Sequence, residues 1–372
     1  MKKFDYTYAL LQNGVLTNSD GTNIRKKSST SGFEVFDNSW DQYLEDAIVP
    51  EITYTETNAV SVDKTVKAWT FYCDSLSGCV EGTEHYEDGD GSKENPWRSL
   101  DYALRQIQTK LNCWRSLGCY CFRKGKYFQL KVKGTVDYNI FGQDSAFVGY
   151  ETVDEQVIQF IISPWENGKW IYSGNYMYHV YGTVFNGLQI GTSEHSSKIY
   201  GSGVCLFNHV DIVNGYFVSC HGTRFIDLSA TRTTYDYVEI LFTNCIGSDL
   251  IGFRGRNIGL RGGLRGNLYN VDVYIRDNSD KIVKDIYGIS GFSGFGFYNC
   301  SADVGGTLNC ESVETTCYNE STGEAYPCTK YYGYVDACGF YDNMGSTFYN
   351  CTMTNQCDKC ADETHVCRTP DF

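Results

Sequence analysis

The chain has 372 residues, enough for one large elongated domain or two ordinary ones, and its apolar content suffices for a substantial core. A formal net charge of −14 argues against a general nucleic-acid binder, because gripping phosphates takes a basic face. No run of about 18 apolar residues occurs, so no membrane-spanning helix is expected.

The 30 Tyr, 21 Phe and 38 Gly, set against 5 Pro and 4 Met, favour strands joined by tight turns over helices. An acidic, Tyr-rich surface suits sugar contacts, and it equally suits plain solvation. The chain opens Met1-Lys-Lys, but Asp5, Tyr6, Thr7 and Tyr8 interrupt the apolar segment that follows, so no signal peptide is recognised. The 17 Cys point the other way. Nine of them lie between Cys300 and Cys367, a density that goes with disulfides in an oxidising place or with metal.

In chain order, residues 1–66 are polar and without a repeat, and read as an attachment or capping segment. Ala68-Trp-Thr-Phe-Tyr-Cys73 alternates like a strand. A turn-rich stretch, Glu87-Asp-Gly-Asp-Gly-Ser-Lys-Glu-Asn-Pro-Trp97, leads to Ser99, a helix N-cap. Leu100, Ala103, Leu104, Ile107 and Leu111 then fall on one helical face. Further strands are expected at 127–133, 157–162 and 169–172.

A short motif then recurs: apolar, variable, Asn, then a small or apolar residue. It places Asn at 186, 208, 244, 270, 299 and 350, with Asp227 as a variant, in steps of 22, 19, 17, 26, 29 and 51 residues along the series with Asp227 included. Alternating repeats of this length are the mark of a stacked β-solenoid, and the step of 51 has room for two coils. The motif predicts seven registered coils from Val184 to Cys351, with Asn186, Asn208, Asn244, Asn270, Asn299 and Asn350 forming a ladder at one corner. Cys245, Cys300 and Cys351 would then fill the core as small hydrophobes. Of the glycosylation-type triplets, Asn299-Cys-Ser and Asn350-Cys-Thr fall in this ladder, which leaves Asn319-Glu-Ser321 in a loop.

The order of strand, Asp/Gly-rich loop, Asn-Pro-Trp-Arg-Ser-Leu and helix resembles the opening of right-handed parallel β-helix proteins of the pectate-lyase-like superfamily, over about 45 residues. The resemblance implies an all-β, right-handed parallel β-helix solenoid whose helix near 99–111 lids the first coil. It divides the chain into the segment 1–66, a β-helix over 67–300 and a Cys-rich end over 301–372. A polar N-terminal segment ahead of a solenoid resembles the layout of phage tail spikes and surface adhesins.

Enzymes of that superfamily use acidic clusters with Ca²⁺ and an Arg or Lys base, or three Asp with Gly-His-Gly and Arg-x-Lys elements. Cys220-His-Gly222 is similar to half of the Gly-His-Gly element, which makes Asp211, His221 and Asp227 the candidates for catalysis. No adjacent Asp pair precedes them and no Arg-x-Lys follows. Arg254, Arg256, Arg261 and Arg265 crowd a Gly-rich stretch and suit an anionic glycan, or simply pair with nearby acids. Trp165, Trp170 and Tyr176 head an aromatic cluster that suits stacking on sugars, although some of its rings belong in a core.

For metals, Asp88 and Asp90 offer oxygen ligands to Ca²⁺, or shape a plain turn. Cys357, Cys360, His365 and Cys367 have the residue types of a structural Zn²⁺ site, with a disulfide-stapled tail involving Cys310, Cys317, Cys328 and Cys338 as the alternative. The functional expectation is a carbohydrate-binding or adhesive β-helix of an extracellular structure, cell surface or virion. Its partner would be a polysaccharide or cell-surface glycan, with a homo-oligomer or larger assembly in view. Two alternatives stand beside it: a polysaccharide lyase or glycoside hydrolase of the same fold, and a structural fibre or assembly subunit.

Overall fold

The computed structural model describes residues 10–12, 15–17, 43–115, 126–141, 158–180, 182–203, 205–230, 238–243, 245–256, 258–276, 287–305, 311–318, 325–332, 338–341, 343 and 345–354. Its body is an all-β parallel solenoid whose coils contribute strands to three faces. The first and second faces are joined because the strand Lys126–Val136 pairs with both. The third face is an eight-stranded sheet.

Register is fixed by what points inward. On the first face, one stacked column runs Phe71, Leu130, Ile162, Phe185, Phe207, Phe225, Leu250, Leu268, Phe297, Phe348. Successive rings lie nearly parallel, Phe185 on Phe207 at 4.6 Å and Phe297 on Phe348 at 4.6 Å. The third face contributes Ile140, Met177, Ile199, Phe217 and Phe242, and Phe217 meets Phe207 edge to face at 5.1 Å. The second face supplies Tyr172, Ile190, Ile212, Ala230 and Val273. All of these described core positions except Phe348 are buried.

This register differs from the one the recurring motif suggests. Phe242 and Thr243 belong to the third face, paired with Phe217 and Val218, while Leu250 takes the place expected for Phe242 on the first. Asn186 and Asn208 lie in strand positions aligned with Ile226, Ile251 and Tyr269. Asn270, Asn299 and Asn350 sit one residue later, at a corner where φ is 51–53°. Gly187, His209, Asp227 and Gly252 share that left-handed corner. Asn, Asp and Gly tolerate this conformation, which explains much of the recurring residue choice. Asn244 lies outside the described residues. The 51-residue step is a single coil, since Phe297 pairs directly with Phe348, and the antiparallel hairpin Glu311–Tyr318 with Ala325–Tyr332 is inserted within it.

The helix α1 (Leu100–Arg115) closes the first coil, with Leu100, Ala103, Leu104 and Ile107 buried. The Ser99 hydroxyl accepts from Tyr102 N at 3.3 Å, as an N-cap does. The loop before it is tight. A Cβ on Gly89 would stand 2.1 Å from the Pro96 carbonyl oxygen, and one on Gly91 2.6 Å from the Trp97 ring.

A second element was not legible as such. Strands β1 (Leu44–Tyr54) and β2 (Ala59–Ser75) form a long antiparallel hairpin, and the latter half of β2 is also the first strand of the solenoid. The hairpin lies along the outer side of the first face like a strap. Ala47, Val49 and Ala68 pack on Ile161 and Val184, and Ala59 and Ile52 pack on Ile226, Ile251 and Tyr269. Small alanines let the strap approach closely, so outward-pointing Ile226 is fully buried. Polar contacts follow the same line from coil to coil. Asn186 Nδ2 donates to Ile48 O at 2.6 Å, Asn208 Nδ2 to Asp63 Oδ1 at 3.4 Å, Asn270 Nδ2 to Asn58 Oδ1 at 2.9 Å and Asn299 Nδ2 to Thr57 O at 2.9 Å. The Asn side chains also bond to one another, Asn208 to Asn186 at 3.1 Å, Asn299 to Asn270 at 3.3 Å and Asn350 to Asn299 at 2.9 Å. The break drawn at residue 66 therefore falls inside β2.

Candidate functional site

The strap covers the outer side of the first face from Ile161 to Tyr298, so exposed chemistry is sought on the other two faces and the corners. On the third face, inward Ile140, Met177 and Ile199 force their neighbours outward, by the period of two. Phe141, Tyr178 and Tyr200 thereby meet in successive coils with centroids 5.5 Å apart at each step, Phe141 nearly parallel to Tyr178 and Tyr200 edge to face with it. Phe141 is 57% and Tyr200 39% exposed. Tyr176 lies beside Tyr178 at 5.1 Å, and the Lys198 ammonium sits over the Tyr176 ring at 5.4 Å. His179 turns through the corner with φ 52° and stacks on Tyr178 at 6.0 Å. Gly201 leaves room for it, because a Cβ there would come within 3.0 Å of the imidazole. The result is a strip of rings along the solenoid axis, with one cation and one imidazole on its border.

Of the three aromatic candidates, only Tyr176 belongs to this strip. Trp170 is core, its Nε1 donating to Asn186 O at 3.2 Å. Trp165 packs on Tyr72 at 4.9 Å, with the Lys133 ammonium 5.5 Å from its ring centroid. Phe141 and Tyr200 were missed in the sequence. Their signal is weak but present: Ile140-Phe141, Met177-Tyr178 and Ile199-Tyr200 repeat an aliphatic-aromatic step.

The four arginines are spread around one coil rather than gathered. Arg254 and Arg256 are on the second face, Arg261 is on the third, and Arg265 is at the corner that returns to the first. Exposed Arg254 pairs with Asp272 at 3.9 Å. The second face here carries an alternating polar column, in which Asp211 is held by Lys169 and Ser229, and Asp272 by Arg254 and Ser301.

Asp211, His221 and Asp227 are each engaged elsewhere. Asp227 lies 3.4 Å from His209, whose other ring nitrogen is 3.2 Å from Asp63 of the strap. His221 Nδ1 accepts from Ile246 N at 3.3 Å at the corner between the third and first faces. These residues form no carboxylate pair facing a shared space. Asp88 interacts with His85, and Asp90 Oδ1 accepts from Ser92 N at 2.9 Å, a bond that holds its carboxyl below the usual range. Both carboxylates are thus used in shaping the turn. Among the described residues, no group of three or more His, Cys, Asp or Glu is arranged to hold a metal ion. Cys357, Cys360, His365 and Cys367 lie outside the described residues.

The chain matches no protein-family model, no curated protein and no solved structure.

Proposed function

We propose that this chain is a carbohydrate-binding β-helix of an extracellular structure, cell surface or virion, and that the aromatic strip of the third face is where glycan lies. One observation carries the reading: Phe141, Tyr178 and Tyr200 place one aromatic ring per coil on the third face, with centroids 5.5 Å apart at each step, the first pair parallel and the second edge to face. The C–H face of a pyranose packs against an exposed apolar strip of this kind, and a chain of sugars running along the axis meets the rings of one coil after another. Lys198 and His179 at the border would add contacts to hydroxyls or to a carboxylate. Glycan cleavage draws no such support from Asp211, His221 and Asp227, which do not converge.

The test is a glycan array followed by calorimetric titration with any oligosaccharide that scores. Tyr178→Ala and Tyr200→Ala are each expected to weaken binding about tenfold or more, equivalent to ~1.4 kcal/mol. An affinity unchanged in both variants, with the fold intact by circular dichroism, removes the strip from the reading. An array on which nothing binds removes the reading itself.

A further inference from the structure

Seven cysteines among the described residues are free thiols, and two pairs of them stand in neighbouring coils. Cys220 and Cys245 lie deep inside, 0% and 2% exposed. Cys300 and Cys351 occupy the last described coils, where Cys300 is 1% exposed and Cys351 only half-buried. Their register is held on both sides. Gly296–Tyr298 pairs with Thr347–Tyr349 before them, and Ser301–Asp303 pairs with Thr352–Thr354 after them. Asn299 N donates to Tyr349 O at 3.0 Å, and Thr352 N to Cys300 O at 2.9 Å, so the two cysteines face each other across one coil spacing. Both point to the same side, with Cys300 Sγ 3.4 Å from Leu268 O and Cys351 Sγ 3.6 Å from Phe297 O. Adjacent parallel strands are ~4.8 Å apart, inside the roughly 4.4–6.8 Å Cα separation that a disulfide spans.

We propose that Cys300 and Cys351 form a thiol–disulfide switch that cross-links the last two described coils of the solenoid, with Cys351 the attacking thiol and Cys300 the resolving one. Burial pushes the Cys300 thiol up, while the Cys300 thiol beside Cys351 draws Cys351 down to about 7, which makes the half-exposed sulfur the more nucleophilic of the two. The oxidant is a small-molecule disulfide, RSSR. Cys351 thiolate attacks one sulfur of RSSR, a Cys351–SR bond forms, and RS⁻ leaves. Cys300 gives up its proton and attacks the Cys351 sulfur. The Cys300–Cys351 bond forms, the second RS⁻ leaves, and the two thiol protons end on the two RSH. The protein pair has lost two electrons and the RSSR has gained them. The bond would close the loop that carries the inserted hairpin. Cys220 and Cys245 stay reduced, because no disulfide reagent reaches them in the folded state.

The test treats the folded, full-length protein with oxidised glutathione, alkylates it, and maps the cross-links by mass spectrometry without reduction. The expected result is a Cys300–Cys351 link, with Cys220 and Cys245 alkylated only after unfolding. In Cys300→Ser, Cys351 is expected to retain glutathione as a mixed disulfide, because nothing resolves it. Three outcomes overturn the proposal: both cysteines alkylated as free thiols, Cys351 linked to a different cysteine, or stable glutathionylation of Cys351 in the wild-type protein. The wild-type map decides the matter even if the Ser variant fails to fold.

Discussion

Tyr54 and Tyr269 are 215 positions apart, and they meet only if the strap docks on the first face. Their ring centroids are 5.8 Å apart. Tyr269 is 6% exposed and Tyr54 39%, so the pair lies at the rim of the covered surface. Arg224 sits over the Tyr54 ring at 5.5 Å, and the Tyr54 hydroxyl donates to Asp249 at 3.3 Å. An aromatic pair contributes ~1 kcal/mol beyond its buried area, and a half-exposed cation over a ring ~0.5 kcal/mol. With a long hydrogen bond adding ~0.5 kcal/mol, Tyr54→Ala is expected to cost about 2 kcal/mol. The more telling quantity is the coupling. Urea denaturation of the wild type, Tyr54→Ala, Tyr269→Ala and the double variant should give a coupling energy of about 1 kcal/mol. A coupling within about 0.3 kcal/mol of zero, the range of independent sites, would refute strap docking at this position.

Other consequences can be checked alongside. Phe207→Ala, which removes a fully buried ring stacked between Phe185 and Phe225, should cost about 3–5 kcal/mol in the same denaturation assay. Gly89→Ala places a methyl against the Pro96 carbonyl at a φ of 93° and should lower Tm by several degrees, whereas Gly222→Ala, with open space at its Cβ, should lower it less. Burial pushes the Tyr54 phenol up to about 12 from an ordinary 10. The folded state therefore holds this proton longer than the unfolded chain does. The resulting contribution to stability is fully present below pH 10 and is lost as pH rises from about 10 through 12, which Tm against pH will report. In Tyr54→Phe that alkaline decline should be shallower.

The solenoid was legible in the sequence because its causes are local. A strand needs alternation, a tight coil needs recurring Gly and Asn, and a lid helix needs Ser99 followed by apolar residues at helical spacing. Asn270, Asn299 and Asn350 announce corners because few other residues accept a positive φ there. Register was not legible, since the motif reads equally well one residue to either side. The stacking of Phe185 on Phe207 and Phe225 makes Asn186 a strand residue, and the alignment of Leu268 with Leu250 and Phe297 makes Asn270 a corner. The same slip hid the aromatic strip. Which of two neighbouring residues faces solvent depends on the register of the whole sheet.

By itself, the amino-acid sequence determined that this chain winds into parallel coils, and where its lid helix begins. Tertiary structure alone decided that residues 44–66 lie along the first face, that Ile226 and Ile251 are covered there, and that Phe141, Tyr178 and Tyr200 align on the third. Pairing a strap with coils up to 242 residues away leaves no periodic trace in the chain. Its energy comes from surfaces that meet only once every coil has been stacked.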